Sequence, residues 1–415
     1  MISLALASMR ARLFPILLVI LALTSSMALL LAVDRINVAT QNGFNQSLSG
    51  VDLVLGPRGS GIELMLYTVF HLGKPTNNIT AETFKDIAQD PKIEWAVPVA
   101  LGDSHRGFRV IATSSEYFER IKFAGDQTLQ FLKGVAFKEL NEVVIGSAVA
   151  DALGYTVGTS IFVTHGSGAL GELHDDFAFQ VTGVLAPTGT PTDQAILVSL
   201  EGYELIHLGW TNGSQAISLK SLDILKIPKE RLYPQTITAA YLGLSSRLGL
   251  FQVARSINEY SEEAVSAIIP GVALAELWSI VGSVDSVFKL LNWLIIGISL
   301  ITMMAMTLTA LENRTREMTI LRALGATPLH LSSMILAEII LISGVSVLLA
   351  VGLVRLLTWV SVDLMSEWAG IRIELIWITI NELLVLGLIV LAGLIASLIP
   401  AGMVYTRSLH RGFSN

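Results

Sequence analysis

The chain has 415 residues, 52% of them hydrophobic and only 15% charged. That balance is too apolar for an ordinary soluble protein and too mixed for a chain that lies in a membrane throughout, so it points to a soluble part joined to several spans. A formal charge of −7 without a long basic run argues against nucleic acid as the main partner, and the lack of cysteine excludes disulfides, a thiolate nucleophile and a cysteine-based zinc site.

In chain order, four stretches are apolar over the roughly 20 residues that cross a bilayer. They are residues 13–33, 290–311, 334–357 and 376–399. The first follows Arg10 and Arg12, as a signal peptide would. Its apolar core is nevertheless longer than a signal core and no Ala-x-Ala site follows it, so it reads as an uncleaved anchor. Residues 34–289 form a domain-sized insert of mixed composition. Its two flanks, up to about Leu48 and from about Pro270, are helix-compatible and read as a stalk.

The insert reads as α+β. "SLSGVDLVLGPRGSG" holds a strand and a turn. "TAETFKDIAQ" reads as a surface helix, with Thr80 at its N-cap and Thr83, Phe84 and Ile87 on one face. "NEVVIGSAVADALGY" predicts a strand and then a helix capped by Ser147 and ending near Gly154. "TSIFVTH" and "FAFQVTGVLAP" read as strands. The fold class expected is therefore a membrane protein with four transmembrane α-helices and a large α+β extracytoplasmic domain between the first two.

Short-loop charge sets the orientation. Arg10 and Arg12 precede the first span, Arg314, Arg316 and Arg322 lie within residues 312–333, and Arg407 and Arg411 lie within the tail, 400–415. The loop 358–375 instead carries Asp363, Glu367 and Glu374 against Arg372. With four spans, all three basic places fall on one side. Residues 1–12, the 312–333 stretch and the tail are then cytoplasmic, while the insert and the acidic loop are outside.

The stretch "ENRTREMTILRALGATPLHLSSMIL" is unusually charged for its place between two spans. Glu312, Arg316 and Thr319 share one helical face, and Met318, Leu321 and Leu324 share another. Gly325 permits a helix stop, and Thr327-Pro328 can open the next helix. From the residues alone this is either an amphipathic helix along the cytoplasmic face or a solvated loop that only fixes topology.

The run Arg316-Glu317-Met318-Thr319-Ile320-Leu321-Arg322-Ala323-Leu324-Gly325-Ala326 resembles the cytoplasmic signature of the MacB/FtsX-type (type VII, mechanotransmission) ABC transporter permeases. "SLALASMRARL" is similar to the amphipathic helix before that family's first span. "NEVVIGSAVADALGYTVGTSIFV" and "FQVTGVLAPTGTPTDQAILVSLEG" are similar to its external domain, and "IPAGMVYTRSL" to the end of its fourth span. The resemblance implies a multi-pass permease of a bacterial cytoplasmic (inner) membrane with both termini cytoplasmic. It implies a second permease, as homodimer or heterodimer, and a separate cytoplasmic ATP-binding subunit that carries ATP and Mg. A periplasmic adaptor or cargo and membrane lipids complete the implied partners.

On that reading Arg316, Glu317, Met318, Ile320, Leu321, Arg322, Leu324, Gly325 and Ala326 couple to the ATPase, with Leu321 and Leu324 buried and Gly325 and Ala326 forming the tight turn. The chain itself lacks a P-loop. Its one Gly-Lys pair, Gly73-Lys74, is followed by Pro75, and Thr68 stands where the first glycine belongs. No cofactor is therefore expected on this chain. Inside the class, the work is export, efflux with an adaptor, or lipoprotein or lipid release. Outside it stand a non-transporting regulator of a periplasmic or cell-wall partner and an anchored sensor without an ATPase.

Three further features carry chemistry. "THGSGALGELHDD" gathers His165, His174, Asp175 and Asp176, donors suited to zinc, though a solvated loop collects the same residues. Glu338 sits inside the third span, where a carboxylate is costly; it pairs across helices or serves a relay, or, in a structural role, snorkels or bonds to a Ser/Thr of a neighbouring span. Ser299, Thr302, Thr307 and Thr309, then Ser343, Gly344, Ser346 and Gly352, are small or hydroxylic and suit close helix packing. A Gly-x-Ser-x-Gly hydrolase turn is lacking, so an enzyme site is not expected.

Overall fold

The computed structural model describes residues 13–125, 127–166, 177–208, 210–211, 214–215, 232–313, 320, 323, 325–369 and 378–410. The chain forms two compact units. One comprises Met1–Val38, Gly282–Val362 and Ile373–Asn415, and the other Ala39–Val281 and Asp363–Arg372.

The helical unit draws on four long helices: α1 (Leu13–Gln46), α8 (Pro270–Asn313), α9 (Pro328–Ala369) and α10 (Ile380–His410). The six shorter helices of the sheet unit are α2 (Gly61–Thr68), α3 (Ala81–Ala88), the single turn α4 (Tyr117–Arg120), α5 (Ser147–Leu153), α6 (Leu200–His207) and α7 (Leu250–Asn258). Helix covers residues 34–46 and 270–289, as the polar but helix-compatible flanks predict. It also covers 358–369, expected as loop. That segment has no Gly or Pro before Gly370, so nothing stops the helix earlier. Among the described residues, Leu13–Ala39 and Ser332–Val360 are long and apolar enough to cross a membrane, and Ser286–Ile298 and Ile380–Ile395 are shorter apolar stretches.

In this unit Met27, Leu31, Ile296, Ala350, Val354, Leu386 and Ile389 form the buried seam. Ser343 and Ser346 are buried beside it, as their small size predicts. Ser346 donates to the Ile342 carbonyl at 2.8 Å. Gly344 and Gly352 depart from the expectation: both are exposed, and a Cβ on either would meet nothing within 4 Å. The fully buried Ala350 takes the close-packing place instead.

In the sheet unit, eleven strands among the described residues make one mixed sheet. In chain order they are β1 (Leu53–Pro57), β2 (Ile93–His105), β3 (Phe108–Thr113), β4 (Phe131–Gly134), β5 (Glu142–Ile145), β6 (Ser160–Ile161), β7 (Thr164–His165), β8 (Phe179–Leu185), β9 (Ala195–Ser199), β10 (Ala239–Leu244) and β11 (Val265–Ile268). The order across the sheet is β11-β1-β10-β2-β3-β9-β5-β8-β4, with β7 on β2 and β6 on β8. β3 with β9 and β5 with β8 run parallel; the other pairs are antiparallel.

Both faces are covered, which is why the strands read as apolar runs. Val54, Val144, Leu197 and Tyr241 point to one face, where α2 and α4 pack. Their neighbours point the other way, and that face divides in two. Leu53, Leu55 and Leu242 meet α3 and α7, while Val143, Ile145, Ile196 and Val198 meet α5 and α6.

Local signals explain the helix ends. Thr80 caps α3, its hydroxyl accepting from the Thr83 amide at 3.2 Å, and Thr83, Phe84 and Ile87 are buried as expected. At α5 the cap is Gly146 rather than Ser147. A Cβ at 146 would stand 2.2 Å from the Asp193 carbonyl oxygen, so only glycine fits there. Gly154 ends α5 at φ +67°, as its sequence position predicts. "TSIFVTH" splits into β6 and β7 because its two ends pair with different strands, β8 and β2.

Candidate functional site

The stretch expected to couple to an ATPase lies between α8, which ends at Asn313, and α9, which begins at Pro328. Arg316, Glu317, Met318, Leu321, Arg322 and Leu324 lie outside the described residues. Ile320 is exposed, at 55%. Gly325 adopts φ +96°, a left-handed value that a residue with a side chain resists, and Ala326 beside it is half-buried. Thr327 then caps α9: its carbonyl accepts the His330 amide at 3.0 Å and its hydroxyl lies 3.4 Å from the same amide. Pro328 at the first helical position needs no amide partner. A left-handed glycine, a threonine cap and a proline start thus stand together at the beginning of α9.

In the helical unit Glu338 is half-buried on α9. A second carboxylate, missed in the sequence, is more deeply placed. Glu382 near the start of α10 takes both Arg35 contacts, at 2.6 Å from Nε and 3.2 Å from the terminal nitrogen. The Glu382 side chain is 2% exposed and that of Arg35 13%. Glu382 also accepts the Thr379 amide at 2.8 Å, while its own amide lies 3.2 Å from the Thr379 hydroxyl. That is a reciprocal capping box, and Thr-x-x-Glu before an apolar run was its signal. The guanidinium fork fits such a carboxylate in two places, so α1 and α10 are locked at this level.

In the sheet unit the predicted metal-ligating loop resolves differently. His165 closes β7, whereas His174, Asp175 and Asp176 lie outside the described residues. The residues brought to His165 are Asp103 of β2 and His207, the last residue of α6. His165 Nδ1 lies 3.1 Å from one Asp103 oxygen and His207 Nε2 lies 3.3 Å from the other. For His207, burial pulls the imidazole pKa down, but the bond and charge of Asp103 and the Tyr203 carbonyl outweigh it and the net shift is upward. Burial, and then the Asp103 charge, push the Tyr203 phenol well above its ordinary value. His105, two residues from Asp103, stays out of the cluster: Nδ1 meets the Phe162 carbonyl at 2.6 Å and Nε2 the Tyr155 hydroxyl at 2.9 Å. The polar run "GDSH" on an otherwise apolar strand was the available sequence signal for Asp103.

Comparison with known proteins now bears on these features. Residues 16–225 match the MacB-like periplasmic core domain, and residues 289–409 match the FtsX-like permease C-terminal region. No curated protein matches the chain. Among solved structures, the periplasmic region of MacB from Actinobacillus actinomycetemcomitans is similar at 9% identity and a TM-score of 0.33, covering 56% of this chain and 94% of that one. The extracellular domain of the noncanonic ABC-type transporter YknZ from Gram-positive bacteria is similar at 12% identity and a TM-score of 0.30, covering 52% of this chain and 98% of that one. The core-domain match spans half of the chain, the permease match follows it in sequence, and the signature run lies within the second. On those grounds the chain belongs to the MacB/FtsX-type ABC transporter permeases.

Proposed function

We propose that the chain is a permease subunit that passes ATP-driven motion from a separate cytoplasmic ATP-binding subunit, through its helices, to its sheet domain on the far side of the membrane. The work done there is export, efflux, or lipid or lipoprotein release. The observation that carries the reading is the signature run Arg316–Ala326, ended by a left-handed Gly325 and followed at once by the capped start of α9. The missing P-loop supports placing the ATP on another chain. The four expected spans, the cytoplasmic termini and the pairing with a second permease belong to the same proposal.

Mild-detergent purification from the native host, beside a Leu321→Asp/Leu324→Asp variant, tests it. An ATP-binding subunit should accompany the wild type and fall at least tenfold in the variant. If none accompanies the wild type, or the variant retains it, the docking role of this run is wrong.

A further inference from the structure

The meeting of Asp103, His165 and His207 has a definite structural cause. β2 pairs with β3 at Leu101↔Ile111 and again at Ser104↔Arg109, so Gly102 and Asp103 together stand opposite Val110. The extra residue is a β-bulge, which breaks the in–out alternation and re-aims a side chain. Asp103, Ser104 and His105 are consequently all buried. β7 lies antiparallel against the bulged end of β2, with His165 directly across from Asp103. α6 closes the third side. Gly102 makes room for it, since a Cβ there would lie 2.6 Å from the Tyr203 hydroxyl.

The geometry suits a cation. The two imidazole nitrogens lie 3.3 Å apart, and each faces a different Asp103 oxygen, His165 at 3.1 Å and His207 at 3.3 Å. A tetrahedral ion with bonds of about 2.0–2.1 Å holds its ligand atoms roughly 3.3 Å apart. His207 is also oriented from behind: its Nδ1 lies 2.8 Å from the Tyr203 carbonyl and donates to it, which leaves Nε2 to face the cluster with its lone pair. A backbone carbonyl in that position fixes the tautomer of a metal-binding imidazole.

We propose that Asp103, His165 and His207 form a binding site for a divalent first-row transition metal, Zn2+ foremost. Two imidazoles and one carboxylate suit such an ion, whereas Ca2+ and Mg2+ prefer oxygen alone. Three protein ligands leave a coordination position to water or to a donor from outside. A cavity of about 420 Å³ lies beside this corner, lined by Gly102 and Gly166, the sequence neighbours of Asp103 and His165, and by Lys74 and Arg109. The ion would offset the charge of a carboxylate whose side chain is 0% exposed. It would also tie the end of α6 to two strands. The rival occupant is a proton, held by His207 as an imidazolium beside Asp103.

The test uses the full chain in detergent, with any affinity tag removed, stripped by chelator and reloaded with Zn2+ or Co2+. Wild type should retain about one Zn2+ per chain after buffer exchange and unfold at a higher temperature with Zn2+ than without, since a ligand that binds only the folded state stabilises it. Asp103→Asn and His207→Ala should lose about 100-fold or more in affinity, because losing a ligand exceeds the 10–100-fold loss that follows an outer-shell change. Asp103 is buried and His207 half-buried, so His165→Cys, at a position 43% exposed, gives a second readout. It would be the only thiol in a chain that has no cysteine. Its Co2+ form should show thiolate-to-cobalt charge-transfer absorption if position 165 is a ligand. Zn2+ uptake well below one per chain in the wild type, uptake unchanged in a His165→Ala/His207→Ala double variant, or His165→Cys without that absorption would each overturn the site. Stability that follows pH but ignores Zn2+ would overturn it in favour of the proton.

Discussion

The two units solve opposite packing problems with similar residues. In the sheet unit the apolar side chains of the inner strands are inside: Leu53, Leu55, Ile145 and Leu197 are fully buried. In the helical unit Leu17, Leu21, Trp293, Leu348 and Leu388 are all more than half exposed, while Thr24, Ser26, Ser343, Ser346, Thr358 and Glu382 are buried. Water does not tolerate an apolar surface of that extent on a folded monomer, but lipid does. Where the surrounding medium is hydrocarbon, helices gain nothing by hiding leucine. They associate through small side chains and paired polar groups. The two patterns therefore report two solvents, in agreement with membership of a membrane-permease family.

Substitutions can break this contrast. The largest effect is expected for Arg35→Ala, which leaves the Glu382 carboxylate buried without its fork. A loss of about 3–5 kcal/mol is typical when one partner of a buried pair goes. Thermal unfolding in detergent should show it, and the Arg35→Ala/Glu382→Gln double variant should recover part of the loss; equal losses in both would deny the pair its role. Next come two leucines of opposite setting. Leu55→Ala should cost about 2–5 kcal/mol, as a truncation in a packed core does. Leu21→Ala, at a position 63% exposed, should shift the same unfolding curve by about 0.5 kcal/mol or less. Comparable shifts would mean that the two units share one solvent rule after all. The most local effect is at a helix cap. Thr80→Ala removes the α3 cap at a cost of about 1 kcal/mol. It should appear as faster amide exchange in the first turn of α3, with α7 on the same sheet face unchanged.

Much of this was legible in advance because the determining physics is local. Thr80, Thr83, Phe84 and Ile87 announce α3 through a cap and a face one turn apart. Gly154 and Gly325 mark chain stops because left-handed backbone favours glycine. Apart from residues 358–369, where no Gly or Pro stops the helix, the assignments that went astray each met a neighbour distant in sequence. Ser147 looked like a cap until the carbonyl of Asp193 claimed the space at Gly146, and "TSIFVTH" looked like one strand until its ends found two partners. Gly344 and Gly352 looked like packing positions, but which way a helix turns its glycines depends on where the other helices stand.

The sequence by itself determined the alternation of mixed and apolar segments, the signature run with its glycine stop and proline start, and the absence of a P-loop. Composition and spacing over a few residues are enough for these, because hydropathy, capping and backbone strain act within a turn or two. Only the tertiary structure decided that Asp103, His165 and His207 share one corner, and that Arg35 meets Glu382. Those meetings depend on a single inserted residue in β2, on the register of β7, and on the packing of α1 against α10. Contacts between segments this far apart leave no periodic trace in the chain, because shifting a strand by one residue would send the same side chain to the opposite face.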